Sequence, residues 1–82
     1  MNRVELLEHA LDLAKQLGYT VRHECLGGRG GGCELKGQKL LFLDLDLGPN
    51  EQLEQVADAL AREPDIASLT MPTELREMLA SP

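Results

Sequence analysis

Aromatic and basic residues are both scarce in this sequence. It contains no Trp, one Tyr (Tyr19) and one Phe (Phe42), and its eight Lys and Arg residues stand against fourteen Asp and Glu, a formal net charge of −6. Proteins that bind nucleic acid replace phosphate counterions with a basic surface, and those that bind single strands stack bases on aromatic side chains. The composition therefore predicts no nucleic-acid binding.

Long apolar runs are also lacking. No stretch approaches the roughly 20 apolar residues that a membrane-spanning helix requires. The first residues combine acidic side chains with helical periodicity, which is unlike the charged and then apolar pattern of a signal peptide. We expect no membrane association and a cytoplasmic location, where the two cysteines, Cys25 and Cys33, would be reduced thiols.

The overall composition is typical of a small globular protein. At 82 residues, with 43% hydrophobic and 27% charged residues, the chain is expected to form one domain, residues 1–82. A chain of this size buries only about 60% of its unfolded surface, so it has room for one small, aliphatic core. Residues 50–82 contain seven acidic and two basic residues and hold most of the excess negative charge.

Three segments have the periodicity of amphipathic helices. The first follows a capping-box pattern formed by Asn2 and Glu5 and ends near Gly18. The second begins at or near Pro49 and ends before Pro64, and Pro72 opens the third.

Alternation of apolar and polar residues predicts strands at 19–26, 33–36 and 39–47. Residues 66–71 fit either a fourth strand, parallel to the third, or an extended connector. The predicted order is α-β-β-β-α-(β)-α. We therefore expect an α+β fold with a small three- or four-stranded, mostly antiparallel sheet and helices packed on one face.

The third predicted strand has two different sides. Leucines 41, 43, 45 and 47 point one way, and we assign them to the core. That choice favours a three-residue turn with a glycine bulge, which places Leu35 opposite Leu41, over a two-residue turn at Gly37-Gln38. On the other side, Asp44 and Asp46 would form the solvated polar part of the pleat.

Leu40 and Phe42 then lie on the face away from the helices, and they form a candidate interface for a homodimer or another protein. A Phe beside a Leu on a sheet surface is a plausible anchor for association. The alternative is that the C-terminal residues or the glycine-rich loop fold over this face.

His23, Cys25 and Cys33 are candidate metal ligands. His23 and Cys25 share one side of a predicted strand, and Cys33 approaches them if the intervening loop folds back. Zinc prefers such nitrogen and thiolate ligands, but the spacing matches no established zinc motif and a fourth ligand is missing. A redox thiol pair is a further alternative. We favour two buried thiols that behave as small apolar residues, and we expect no cofactor.

The glycine-rich loop between the cysteines is a candidate anion site at Gly28, Arg29, Gly30 and Gly31. Successive backbone N–H groups can surround an anion, and Arg29 would add a positive charge. The loop matches neither of the established glycine-rich phosphate motifs, however, and a predicted strand follows it instead of a helix.

No catalytic motif occurs in the sequence. A carboxylate cluster of Glu24, Asp44 and Asp46 would lie on a solvated sheet face, which does not perturb pKa values as a catalytic pocket does. We therefore expect a small acidic protein that acts as a protein–protein interaction or regulatory module without catalytic activity. The alternative is a thiol- or zinc-dependent protein that uses His23, Cys25 and Cys33.

Overall fold

The computed structural model describes residues 1–27 and 30–80. Two of the candidate anion-binding residues, Gly28 and Arg29, lie outside the described residues. The elements in chain order are α1 (Arg3–Gln16), β1 (Tyr19–Glu24), β2 (Gly31–Leu35), β3 (Gln38–Asp44), α2 (Pro49–Ala61), a short 3₁₀ helix (Ile66–Ser68) and α3 (Thr73–Ala80). This order, with α1 and α2 packed together on one face of a three-stranded sheet, confirms the predicted α+β fold.

Local sequence signals explain where the helices begin and end. The Asn2 side chain accepts a hydrogen bond from the Glu5 N–H at 2.8 Å, and the Glu5 carboxylate accepts one from the Asn2 N–H at 3.3 Å, so the predicted capping box is formed. Gly18 has a φ of 95°, a conformation that favours glycine and ends helices. Pro49 occupies the first turn of α2, where its missing N–H costs no hydrogen bond.

One hydrophobic core lies between the helices and the sheet. The contributions of β3 are Leu41 and Leu43, which are 0% and 3% exposed. The helices contribute apolar residues at helical spacing: Leu6, Leu7, Ala10, Leu13 and Ala14 from α1, Leu53, Val56, Ala59 and Leu60 from α2, and Leu75 from α3. The core is almost entirely aliphatic, as the composition predicts.

The sheet is mixed, with the strand order β1-β3-β2. β2 runs antiparallel to β3, whereas β1 runs parallel to it, and Val21 lies beside Leu41 in that register. Only one of the two strand pairs is therefore antiparallel. Because β2 lies on the far side of β3, the connection between β1 and β2 must pass the carboxyl end of β3.

The hairpin turn between β2 and β3 differs from both turns considered from the sequence. Leu35 pairs with Gln38 and Cys33 pairs with Leu40, so Lys36 and Gly37 form a two-residue turn. Both turn residues have positive φ, 52° and 79°, as a type I′ turn requires. The predicted three-residue turn is wrong because Lys36 adopts the left-handed conformation, which the sequence pattern did not indicate.

The structure decides two further predictions, on the inward-facing leucines of the third strand and on the conformation of residues 66–71. β3 ends at Asp44, so Leu45 is 51% exposed and only Leu41 and Leu43 of the four leucines belong to the buried core. Residues 66–71 contain the 3₁₀ helix and an extended connector, and no fourth strand forms there. Among the helices of the described segments, none has the length and apolar character needed to cross a membrane.

Candidate interaction surface

The sheet face opposite the helices contains apolar residues from β2 and β3. Since Leu41 and Leu43 point to the core, the pleat places Leu40 and Phe42 on this other face, where both are half-buried. The strand register sets Leu40 between Thr20 and Cys33, and Phe42 between Arg22 and Gly31. We call this surface the open face, and its members are Thr20, Arg22, Cys33, Leu35, Leu40 and Phe42.

Phe42 is partly exposed between its two strand neighbours. Its neighbour in β2 is Gly31, which has no side chain to cover the ring. On β1, the Arg22 guanidinium forms an ion pair with Glu24 (Nε to Oε2, 3.1 Å), and both side chains are largely exposed. Leu35, at the hairpin end of the same face, is 58% exposed. The arrangement is an apolar centre with a charged rim of both signs, which is typical of protein interfaces.

Asp44 stands at the end of the open face, but it is not solvated. Its side chain is 0% exposed, so the prediction of a solvated carboxylate is wrong. The Asp44 carboxylate (Oδ1) accepts hydrogen bonds from the N–H groups of Leu26 and Asp46, both at 2.9 Å. The Leu26 donor lies two residues after the end of β1, so the start of the β1–β2 connection contacts this carboxylate.

Neighbouring contacts fix the same connection to the sheet. The Leu45 N–H donates to the Glu24 carbonyl at 2.9 Å, and the Gly27 N–H donates to Asp46 Oδ2 at 3.0 Å. Thus at least one glycine N–H in the loop is directed at a protein carboxylate. The anion-site prediction for Gly28, Arg29, Gly30 and Gly31 stays a prediction, although Gly31 itself begins β2.

Both cysteines are exposed, so the interpretation as buried thiols is wrong. The negative charge of Asp46 is the main cause that raises the pKa of the Cys25 thiol, with smaller contributions from partial desolvation and a hydrogen bond to the same carboxylate. Because a thiolate is the nucleophile and the metal ligand, a raised pKa makes Cys25 less reactive.

The structure does not assemble the candidate metal ligands. Within residues 1–27 and 30–80, no group of three or more His, Cys, Asp and Glu side chains lies close enough to hold a metal ion. His23 is exposed at the end of β1.

A second feature, which sequence reasoning missed, is a polar cleft of about 190 Å³ between the hairpin end of the sheet and the carboxyl end of α2. Its walls include Tyr19, Gly32, Glu34, Lys39, Arg62 and Glu63. Glu63 follows the last turn of a helix and Tyr19 begins a strand 44 residues earlier, so no local spacing in the sequence connects them.

Three side chains in this cleft, those of Tyr19, Lys39 and Glu63, are joined by hydrogen bonds. The Tyr19 hydroxyl donates to Glu63 Oε1 at 2.7 Å, and the Lys39 ammonium donates to Glu63 Oε2 at 3.0 Å and to the Leu17 carbonyl at 3.2 Å. The Lys39 nitrogen also lies 5.4 Å from the centre of the Tyr19 ring, within cation–π range.

The ionisation of these groups suits a structural role. Burial is the main cause that raises the pKa of Tyr19 to about 12, and the hydrogen bond to Glu63 and that carboxylate's charge raise it further. The hydrogen bonds from Tyr19 and Lys39 lower the pKa of Glu63 below its ordinary value. A neutral phenol, an ammonium and a carboxylate therefore tie the end of α2 to the sheet, and Tyr19 is a poor candidate for a catalytic base.

Comparison of the chain with models of known families, with curated proteins and with solved structures finds no match. Any statement about function therefore depends on the surfaces described above.

Proposed function

We propose that this protein is a small interaction module without catalytic activity, and that it binds other protein chains through the open face. The observation that carries the proposal is the one-sided packing of the sheet. Both α1 and α2 lie on the side of Leu41 and Leu43, while Leu40 and Phe42 lie on the other side.

Several properties of the open face support a binding role. Phe42 is the only Phe of the chain, and it lies at a half-buried position instead of in the core. An aromatic ring surrounded by smaller apolar groups and a charged rim is the arrangement that contributes most binding energy at protein interfaces. We propose protein partners, which include a second copy of this chain, and a cytoplasmic location, and we expect no nucleic-acid partner given the negative charge.

The polar cleft supports catalysis less well. Its tyrosine, lysine and glutamate already bond to one another, and the raised pKa of Tyr19 leaves it protonated at neutral pH. A general base is expected to have a pKa near the working pH. We therefore assign the cleft to the packing of α2 on the sheet.

Replacement of Phe42 by Lys tests the proposal. Phe42→Lys should abolish association with partner chains and leave the monomer folded, because the ring does not belong to the core cluster. Val4→Ser is the matched control, since Val4 is a 49% exposed apolar residue that lies on α1, away from the open face. Association is measured by sedimentation of the purified protein and by mass spectrometry of chains captured on the tagged protein.

Two outcomes would contradict the proposal. If neither self-association nor a captured chain is detected with the wild-type protein, the open face is not a binding surface. If Phe42→Lys and Val4→Ser reduce association equally, the loss reflects exposed apolar area in general. Circular dichroism of both variants verifies that the fold is retained.

The thiol- or zinc-dependent alternative stays a prediction from the sequence. Metal analysis and thiol titration of the natively purified protein test it. Stoichiometric zinc that is lost together with the fold on chelation would favour this alternative over the interaction module.

A further inference from the structure

The outer edge of β2 is open in the described part of the chain. β2 pairs with β3 on one side only, and it is the last strand of the sheet on that side. In a hairpin with a two-residue turn, the pair next to the turn is hydrogen-bonded and bonded positions then alternate. The residues between the bonded positions are Gly32 and Glu34, so their N–H and C=O groups point away from the sheet.

The two edges of the sheet differ in how they are protected. Natural sheets protect exposed edges with charged residues, and β1 carries Arg22, His23 and Glu24 at its end. β2 contains one charged residue, Glu34, together with two glycines. Its edge is therefore the one at which another strand would be accommodated most easily.

Negative charge lies beside this edge. A Cβ built on Gly32 would lie 3.1 Å from the Cβ of Ala59, which shows that α2 packs against β2 on the helix side of the sheet. On α2, the exposed Asp58 directly precedes Ala59, and the exposed Glu51 lies two i, i+4 steps before Ala59 on the same side of the helix. Glu34 is exposed on β2 itself. Two cations of the described chain lie near them, and both are paired: Arg62 with Asp58, and Lys39, the cross-strand neighbour of Glu34, with Glu63.

We propose that an extended, basic segment of a partner protein adds to the outer edge of β2 as a fourth strand. Its backbone bonds to Gly32 and Glu34, and its Lys or Arg side chains lie opposite Glu34 and near Asp58. The alternate side chains of the segment are apolar, because they lie beside Cys33 and Leu35 on the open face. The inference rests on the proposed function, for which it specifies the partner.

A synthetic peptide of alternating Lys and Val residues, with blocked ends, is the probe. We expect it to bind, with backbone amide shifts in the nuclear magnetic resonance spectrum concentrated at residues 31–35. The same peptide with methylated nitrogens on one edge keeps its charge but cannot complete the hydrogen bonds, so it should not bind. A Glu–Val peptide tests charge, and it should not bind either.

Protein variants separate backbone pairing from charge. Glu34→Pro removes one outward N–H, at an edge position where Pro is tolerated, and Glu34→Gln removes the charge alone. We expect Glu34→Pro to weaken binding by at least about tenfold, or about 1.4 kcal/mol, and Glu34→Gln to weaken it less and to reduce its salt dependence. Thermal unfolding verifies that both variants fold.

Each of the following outcomes would overturn the inference. Equal binding of the methylated peptide, or equal losses in the Pro and Gln variants, would mean that only charge attracts the peptide. Self-association that Glu34→Pro abolishes would make a second copy the occupant of the edge. Absence of peptide binding, in a protein whose partner association still depends on Phe42, would overturn strand addition and leave the proposed function intact.

Discussion

A single buried carboxylate organises one end of the sheet. Asp44 accepts hydrogen bonds from Leu26 and Asp46, and the Asp44 carbonyl also accepts one from the Gln52 side chain of α2 at 2.9 Å. Through its carboxylate and its carbonyl, Asp44 thus joins the β1–β2 connection, β3 and the start of α2. A carboxylate that accepts backbone N–H groups forms stronger bonds than a neutral acceptor does.

Replacement of Asp44 by Ala should therefore lower the free energy of unfolding by about 2–3 kcal/mol, because it removes a buried acceptor and leaves two part-buried N–H donors without their partner. Asp44→Asn should cost less, since one acceptor oxygen remains. Asp46→Ala is the control, because Asp46 is exposed, and it should cost less than about 1 kcal/mol. Urea denaturation measures all three, and equal losses for Asp44→Ala and Asp46→Ala would contradict this role.

Tyr19 offers a direct measurement of the polar cleft, because the protein has one Tyr and no Trp. Tyrosinate absorbance after a rapid pH increase should give a pKa of about 12, above the ordinary value of 10. In Glu63→Gln the pKa should fall only part of the way, since burial is the main cause of the shift and Glu63 contributes less. A wild-type pKa near 10 would mean that the phenol is neither buried nor bonded to Glu63.

The same shift has a consequence for stability at high pH. A phenol whose pKa is raised by folding stabilises the folded state fully below pH 10, and this contribution is lost as the pH rises towards about 12. Glu63 has the opposite sign: its lowered pKa stabilises the fold above the unfolded pKa, and the contribution is lost as the pH falls through the folded value.

Cys25 should react slowly for an exposed thiol, because Asp46 raises its pKa. We expect Asp46→Asn to increase the rate at which iodoacetamide alkylates Cys25 at mildly alkaline pH, while the rate at Cys33 stays unchanged. Peptide mass spectrometry follows the two sites separately. An unchanged rate at Cys25 would show that Asp46 does not control this thiol.

Among the elements, the helices were easier to predict than the sheet. The first helix is set by the capping box of Asn2 and Glu5 and by Gly18, and α2 by Pro49, all within a few residues of the helix they limit. Strand pairing depends on residues distant in sequence. Nothing local to β1 indicates that Val21 lies parallel to Leu41, or that β2 takes the far side of β3.

In the candidate site, too, the features set by local sequence were predicted and those set by tertiary contacts were not. Alternation along β3 was enough to place Leu40 and Phe42 on the face opposite the core. The same alternation put Asp44 in solvent, because it contains no information about the tertiary contacts that bury this carboxylate. The cleft of Tyr19 and Glu63 arises only from tertiary packing.

The β1–β2 connection is packed closely at its end. A Cβ built on Gly30 would lie 2.4 Å from Gln55 Oε1 and 2.7 Å from the Phe42 carbonyl oxygen. Gly30→Ala should therefore lower the free energy of unfolding by about 1–3 kcal/mol through overpacking. Gly48→Ala is the matched control: its Cβ would approach only the end of the flexible Glu51 side chain, at 3.2 Å. A harmless Gly30→Ala would show that the connection is not seated against α2.

At the scale of the whole molecule, the small size of the chain explains the open face. Two helices of 14 and 13 residues suffice to cover one side of a three-stranded sheet, and α3 packs on those helices instead of on the sheet. The other side keeps its apolar residues at the surface. The acidic residues are concentrated in the C-terminal part, so a basic partner would meet a complementary surface along α2.

Site-specific photo-crosslinking tests the binding role of the open face most directly. A benzophenone amino acid, similar in shape to Phe, replaces Phe42 in one variant and Val4 on α1 in a second, and each is illuminated in the cells that make the protein. We predict covalent adducts with another protein chain, or with a second copy, from position 42 and not from position 4. Adducts from neither position, or equally from both, would contradict the assignment of the open face as the binding surface.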